Sequence, residues 1–118
     1  MSSILVIDDD PEIRELMERV LSSDTNRVQT ADSGKTGMQL LRESPFDIVI
    51  TDILMPDFDG FEVIMEINSM EPRPRLIAMT GGSVNLSREY LLRVATVLKV
   101  EQVLHKPFTV EQLQKVIC

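Results

Sequence analysis

Short runs of apolar, often β-branched residues alternate with longer segments of helical spacing along the chain. The five runs are Ile4–Ile7, Arg27–Ala31, Phe46–Asp52, Arg75–Thr80 and Gln102–Leu104. Alternation of this kind favours right-handed crossovers and a mostly parallel sheet with helices on both faces. A strand that is buried on both faces is apolar without interruption, as Ile4–Ile7 is. The pattern therefore predicts an α/β domain of five βα units.

The segments between these runs carry helix start and stop signals. Asp10 can cap a first helix with Pro11 at its first position, and its apolar face is predicted to contain Ile13, Leu16, Met17, Val20 and Leu21. We expect further helices from about Ser33, from after Asp59-Gly60 to the prolines Pro72 and Pro74, and from Ser87 to about Lys99. The last helix opens with the capping-box pattern Thr109-Val110-Glu111-Gln112.

Length, charge and cysteine content narrow the class of protein. A chain of 118 residues has the size of one domain, so we expect a single domain over residues 1–118. The net charge of -7 opposes direct binding to nucleic acid or to an anionic membrane. Cys118 is the sole cysteine, and the chain lacks both a signal-peptide pattern and an apolar stretch of membrane-spanning length. These features predict a cytoplasmic protein.

Carboxylates follow two of the predicted strands at the point where each strand ends. Asp8 and Asp9 come after the first strand, and Asp52 closes the third. Parallel strands place their carboxyl ends along one edge of a sheet, so these side chains are expected to converge there. Mg²⁺ takes oxygen ligands and commonly combines one or two carboxylates with phosphate oxygens and water. The three aspartates are therefore candidate metal ligands.

The same edge offers a nucleophile and two hydrogen-bond donors. A carboxylate can attack phosphorus to form an aspartyl phosphate when cationic groups offset the developing charge, and Asp52 is the candidate. Lys106, after the last strand, would pair with one phosphoryl oxygen, and the hydroxyl of Thr80 would hydrogen-bond another. Each of these residues taken alone is more often an ordinary surface or strand-end residue.

Taken together, these residues resemble the receiver domain of two-component response regulators over essentially the whole chain. The resemblance is carried by Asp8-Asp9, the run Asp52-Ile53-Leu54-Met55-Pro56-Asp57-Phe58-Asp59-Gly60, Thr80, and Lys106-Pro107-Phe108. It implies a flavodoxin-like (βα)5 three-layer sandwich whose five parallel strands have the order 2-1-3-4-5. It also implies a cis Lys106-Pro107 bond.

The resemblance further implies a function. A histidine kinase or histidine phosphotransfer protein would supply a phosphoryl group to Asp52 with Mg²⁺, and phosphorylation would switch the surface around strands four and five and helix four. Asp9, Asp52 and the backbone carbonyl of Leu54 would hold the metal, with Asp8 acting partly through water. Such a protein is not a turnover enzyme. We expect a monomer or weak dimer that acts on an effector or an output domain of another chain.

Three other interpretations differ in class. An EF-hand-like frame places Asp57, Asp59, Gly60 and Glu66 at calcium-ligand positions but has Met55 at its first position. An aspartate-based phosphohydrolase would use Asp52, but Leu54 stands where a second acid is needed. A pseudo-receiver would bind partners without phosphorylation, although all the acidic, hydroxyl and lysine positions of the family are filled here.

Two features depart from the family pattern. Val103 occupies the position, three before Lys106, at which the family usually has an aromatic switch residue. The segment from Thr80 to Lys106 is also a few residues longer than is usual and begins with Gly81-Gly82. His105, the single histidine, is interpreted as a structural strand residue.

Overall fold

Five parallel strands form the central sheet of the protein. The computed structural model describes residues 2–52, 54–55, 58–80 and 101–117. The strands of the sheet are β1 (Ser2–Ile7), β2 (Asn26–Ala31), β3 (Ile48–Asp52), β6 (Arg75–Thr80) and β7 (Gln102–His105). The strands β4 (Leu54–Met55) and β5 (Phe58–Asp59) form a separate short pair. Their order is β2-β1-β3-β6-β7, and every neighbouring pair is parallel. Counted within this sheet alone, the order is the predicted 2-1-3-4-5.

Helices cover both faces of the sheet. The described helices are α1 (Pro11–Leu21), α2 (Gly34–Glu43), α3 (Gly60–Asn68) and α4 (Val110–Ile117). The helix predicted from Ser87 to about Lys99 lies outside the described residues. Among the residues that are described, no helix combines the length and the apolar character needed to cross a membrane.

The two faces of β1 bury different sets of residues because side chains alternate along a strand. Ile4 and Val6 pack with residues of α1 and α4, including Met17 and Leu113. Leu5 and Ile7 pack on the other face with residues of α2 and α3, which include Leu41, Val63, Ile64 and Ile67. Two apolar clusters on either side of one sheet make the predicted three-layer sandwich.

The predicted caps at Asp10 and Thr109 are confirmed, and Ser33, near which the second helix was expected to begin, also caps its helix. The Asp10 carboxylate accepts a hydrogen bond from the Glu12 backbone N–H at 2.9 Å. The Ser33 hydroxyl likewise accepts from the backbone N–H of Thr36 at 3.2 Å. At the start of α4, the Gln112 N–H donates to the Thr109 hydroxyl while the Gln112 side chain accepts from the Thr109 N–H, which is the reciprocal bonding of a capping box.

Several local details differ from the sequence predictions. The third strand begins at Ile48 rather than Phe46, within the usual uncertainty of element boundaries. Leu16 lies at the margin of the apolar face of α1, with 36% of its surface exposed. Helix α3 ends at Asn68, before the prolines, because the Ser69 N–H bonds to the Glu66 carbonyl and tightens the last turn. A short antiparallel pair of strands, β4 (Leu54–Met55) and β5 (Phe58–Asp59), was not predicted.

Candidate functional site

The candidate residues of the sheet edge come from strands that are neighbours in space. Asp52 is the last residue of β3, and its register partner on β6 is Met79, the residue before Thr80. Thr80 in turn pairs with His105 at the end of β7, directly before Lys106. Asp8 follows β1, which pairs with β3 on the other side. The carboxyl ends of four adjacent strands thus converge, as the parallel topology predicts.

Lys106 bridges two carboxylates at the centre of this edge. Its Nζ lies 2.6 Å from Oδ2 of Asp8 and 2.8 Å from Oδ2 of Asp52. Asp8 is fully buried and Asp52 is 8% exposed, so both ion pairs are largely shielded from water. The attraction within ion pairs of this burial is screened less by water and salt than the attraction between exposed charges.

The Asp8 carboxylate is held from two sides. Lys106 approaches one oxygen, and the other accepts a hydrogen bond from the Asp10 backbone N–H at 2.9 Å. The Arg14 guanidinium also donates to the backbone carbonyl of Asp8 at 2.9 Å, which fixes the chain where it leaves β1. Burial raises the pKa of the Asp8 carboxyl above 3.8, although the hydrogen bonds from Lys106 and Asp10 oppose that shift. Holding Asp8 ionised therefore carries a free-energy cost.

The ammonium of Lys106 is kept charged by its two partners. Burial alone would lower the pKa of Lys106, but the hydrogen bonds and negative charges of Asp52 and Asp8 outweigh it. The pKa is consequently raised above the ordinary lysine value of 10.5. Among the residues that the structure describes, the ammonium of Lys106 thus faces two buried carboxylates, and Asp9 adds a third, exposed one. These groups together carry a net negative charge, which favours the binding of a further cation.

The three aspartates could hold a metal ion together. One carboxylate oxygen from each of Asp8, Asp9 and Asp52 lies within 4.8 Å of the others. Carboxylate oxygens are the ligands that Mg²⁺ prefers, so the donor chemistry fits that ion. Leu54 lies in β4, two residues after Asp52, and the role predicted for its backbone carbonyl stays a prediction.

Thr80 lies at the same edge and contacts a residue to which the sequence analysis gave no chemical role. Thr80 is buried, and its Oγ1 is 3.2 Å from Nδ1 of His105. The Lys106 backbone N–H also donates to the Thr80 carbonyl at 2.7 Å. The sequence did not predict the contact between Thr80 and His105, because the two residues become cross-strand partners only through the register of β6 and β7. The peptide bond between Lys106 and Pro107 is cis, as predicted.

The five-stranded parallel sheet, with three aspartates and a bridging lysine at the carboxyl ends of its strands, is the arrangement that the sequence motifs predicted. Residues 4–118 match the model of the response regulator receiver domain. The chain therefore belongs to the response regulator receiver domain family, as its sequence motifs predicted.

Relatives of known name agree with this assignment. The response regulator receiver protein CpdR of Brucella abortus is 29% identical over 96% of this chain and 91% of its own length. The transcriptional regulatory protein AfsQ1 of Streptomyces coelicolor is 40% identical over 65% of this chain. The chain spans 34% of AfsQ1 and 18% of the transcriptional regulatory protein GlrR of Escherichia coli.

Solved structures share the fold over nearly the whole chain. The chemotaxis response regulator CheY4 of Vibrio cholerae superposes with a TM-score of 0.86 at 25% identity, covering 99% of this chain and 96% of that one. A response regulator receiver domain protein from Clostridium thermocellum has a TM-score of 0.81 at 31% identity, with coverages of 99% and 91%.

Proposed function

We propose that this receiver domain accepts a phosphoryl group on Asp52 from a phosphohistidine donor, with Mg²⁺ bound beside it. The observation that carries the proposal is the contact of Lys106 Nζ with Asp8 and Asp52 at 2.6 and 2.8 Å, inside a cluster of three aspartates. A lysine held there supplies the positive charge that a transferred phosphoryl group needs.

In the proposed reaction, a carboxylate oxygen of Asp52 forms a new bond to phosphorus while the phosphorus–nitrogen bond of the donor breaks. The bonding electron pair leaves with the imidazole nitrogen of the donor. Negative charge is spread over the transferred oxygens during this step, and Lys106 lies within hydrogen-bond distance of the nucleophile. Its ammonium can therefore move from the carboxylate to a phosphoryl oxygen without leaving the site.

Asp8, Asp9 and Asp52 are the side chains that would hold Mg²⁺, with the Leu54 carbonyl as a further ligand. The ion would neutralise charge on the phosphoryl oxygens and help to orient them. The exposed Asp9 gives the cluster an opening to solvent, while the buried Asp8 fixes its inner side. The buried hydroxyl of Thr80 would donate to another phosphoryl oxygen.

This proposal includes the wider setting of the domain. A sensor histidine kinase or histidine phosphotransfer protein would be the donor, and the surface around β6, β7 and the predicted fourth helix would change on phosphorylation. The effector would be another protein or an output domain, without direct contact to nucleic acid or membrane. Residues 1–118 would act as one cytoplasmic receiver, a monomer or weak dimer, that catalyses its own phosphorylation but is not a turnover enzyme.

Intact mass measured after incubation with acetyl phosphate tests the chemistry. We expect a phosphoryl adduct that requires Mg²⁺, that is absent from Asp52→Asn and that persists in Asp24→Asn. Asp24 is a suitable control because it is exposed and lies just before β2, at the amino-terminal ends of the strands and so away from the acidic cluster. An adduct retained by Asp52→Asn would contradict the assignment of the nucleophile.

The donor and the metal need separate controls. If acetyl phosphate and a phosphohistidine protein both leave the Mg²⁺-bound protein unmodified, the domain is a phosphorylation-independent binding module instead. Calorimetric titration with Mg²⁺ should show weaker binding for Asp9→Ala than for the parent, because one oxygen ligand is lost. Unchanged affinity in Asp9→Ala would remove Asp9 from the metal site.

A further inference from the structure

The contact between Thr80 and His105 joins a buried hydroxyl to an exposed imidazole. We propose that His105 is a positioning residue that holds the Thr80 hydroxyl in the resting protein. Phosphorylation of Asp52 would transfer that hydroxyl from His105 to the phosphoryl group and release the imidazole ring. This inference rests on the proposed phosphorylation of Asp52.

The geometry provides both partners of the exchange. Thr80 is 3% exposed, and its Oγ1 lies 3.2 Å from the Nδ1 of His105, which is exposed. A hydroxyl has one proton to donate, whereas a neutral imidazole has one accepting nitrogen. When Nδ1 is that acceptor, the proton of Thr80 is committed to His105. Phosphoryl oxygens only accept hydrogen bonds, so the hydroxyl has to leave Nδ1 before it can donate to them.

Backbone contacts connect this pair to the acidic cluster. Lys106 follows His105 in the chain and contacts Asp8 and Asp52 through its ammonium. Its backbone N–H is bonded to the carbonyl of Thr80 at 2.7 Å. Main-chain bonding therefore restrains Thr80, so the exchange requires rotation of its side chain and not displacement of β6.

The other end of the contact is at the surface. His105 lines a cleft of about 310 Å³ with Val103, Pro107, Gln112 and Lys115 among its neighbours. A ring released from Thr80 would change the shape and hydrogen bonding of that cleft. Val103 in the same cleft has no polar group with which to make a contact of this kind, whereas His105 connects the buried hydroxyl to the surface.

Nitrogen NMR of the imidazole tests the contact directly. His105 is the single histidine of the chain, so its ring gives one set of resonances. We expect Nδ1 to accept the hydrogen bond from the Thr80 hydroxyl in the resting protein. Mg²⁺ with beryllofluoride, a phosphoryl mimic, should shift the ring resonances. Thr80→Val should shift them at rest and abolish the further response.

Affinity for beryllofluoride gives a second measurement. His105→Leu removes the competing partner of Thr80 and should tighten binding by about two- to tenfold, the range that one net hydrogen bond supplies. His105→Asn restores a polar atom close to the position of Nδ1 and should return the affinity towards that of the parent. Lys115→Met, which changes another residue of the same cleft, should have no effect.

The outcomes separate the two proposals. If Asp52 forms no adduct and beryllofluoride does not bind, the proposed function fails, and this inference fails with it. If the adduct forms but the ring resonances are unaffected by Thr80→Val or by activation, phosphorylation stands and His105 is only a structural residue. Equal affinity in the parent, His105→Leu and His105→Asn would overturn the inference in the same way.

Discussion

Replacing Lys106 with methionine should destabilise the metal-free protein strongly. The substitution keeps most of the apolar stem of the side chain but removes the ammonium that contacts Asp8 and Asp52. Loss of one partner from a buried ion pair usually costs about 3–5 kcal/mol, because a charge is left buried without compensation. The Lys106 side chain is 17% exposed, so some water reaches the site and the lower end of that range applies. We expect the free energy of unfolding to fall by about 3 kcal/mol.

Urea denaturation followed by circular dichroism measures this change. With a slope of about 2 kcal/mol per molar urea for a domain of this size, the midpoint should fall by about 1.5 M at pH 7 in the presence of a chelator. Lys35→Met is a matched control, because Lys35 is exposed in the first turn of α2. Its midpoint should remain within the small range typical of surface substitutions.

Two further arms test the cause of the loss. Adding Asp52→Asn to Lys106→Met removes one of the two carboxylate charges that Lys106 contacts and should recover part of the stability. Saturating Mg²⁺ should stabilise Lys106→Met at least as much as the parent, because ligand binding to the native state adds stability and the variant cluster is more negative. If Lys106→Met unfolds at the same urea concentration as the parent without metal, the bridge does not offset the buried carboxylate charge.

Two other perturbations follow from the structure. Because burial raises the pKa of Asp8 above 3.8, the folded protein binds that proton more tightly than the unfolded chain does. Stability from this group is thus complete below pH 3.8 and is lost as the pH rises through the raised pKa. In chelator, urea midpoints should show this loss in the parent and not in Asp8→Asn. Gly37→Ala would place a Cβ 2.8 Å from Cγ1 of buried Ile7 and closer still to its Cδ1. This overpacking should lower the free energy of unfolding by about 1–3 kcal/mol in the same assay. The control Gln39→Ala, on the exposed side of α2, should be nearly neutral. If Gly37→Ala is as stable as the parent, the side chain of Ile7 can move aside.

Much of the fold could be predicted from local chemistry. Continuous apolar runs identified strands buried on both faces, and Asp10, Ser33 and Thr109 marked helix starts because their side chains satisfy free backbone N–H groups. The hairpin of β4 and β5 was missed because two-residue strands are too short to show any periodicity. Leu16 was placed on the buried face because a helical wheel does not reveal how far the neighbouring elements extend.

The candidate site was predictable in composition but not in its bonding. The order of the strands brings Asp8, Asp52 and Lys106 to one edge, and strand-end positions in the sequence were enough to infer that. The simultaneous contact of Lys106 with both carboxylates depends on side-chain reach across two strand pairs, which no sequence pattern encodes. The contact of His105 with Thr80 was not predicted for a related reason, since alternation within β7 says nothing about the residue beside it on β6.

The contact between Lys106 and Asp8 determines when the site can be completed during synthesis, because the two residues are 98 positions apart. A nascent chain that emerges from the ribosome presents Asp8, Asp9 and Asp52 long before Lys106 has been translated. Until then the lysine that follows β7 is not available to the three carboxylates, and contacts of such long sequence separation are slow to form. The complete site therefore cannot exist on a partly synthesised chain, and an incomplete translation product that lacks β7 would carry the acidic residues without the cation that joins them.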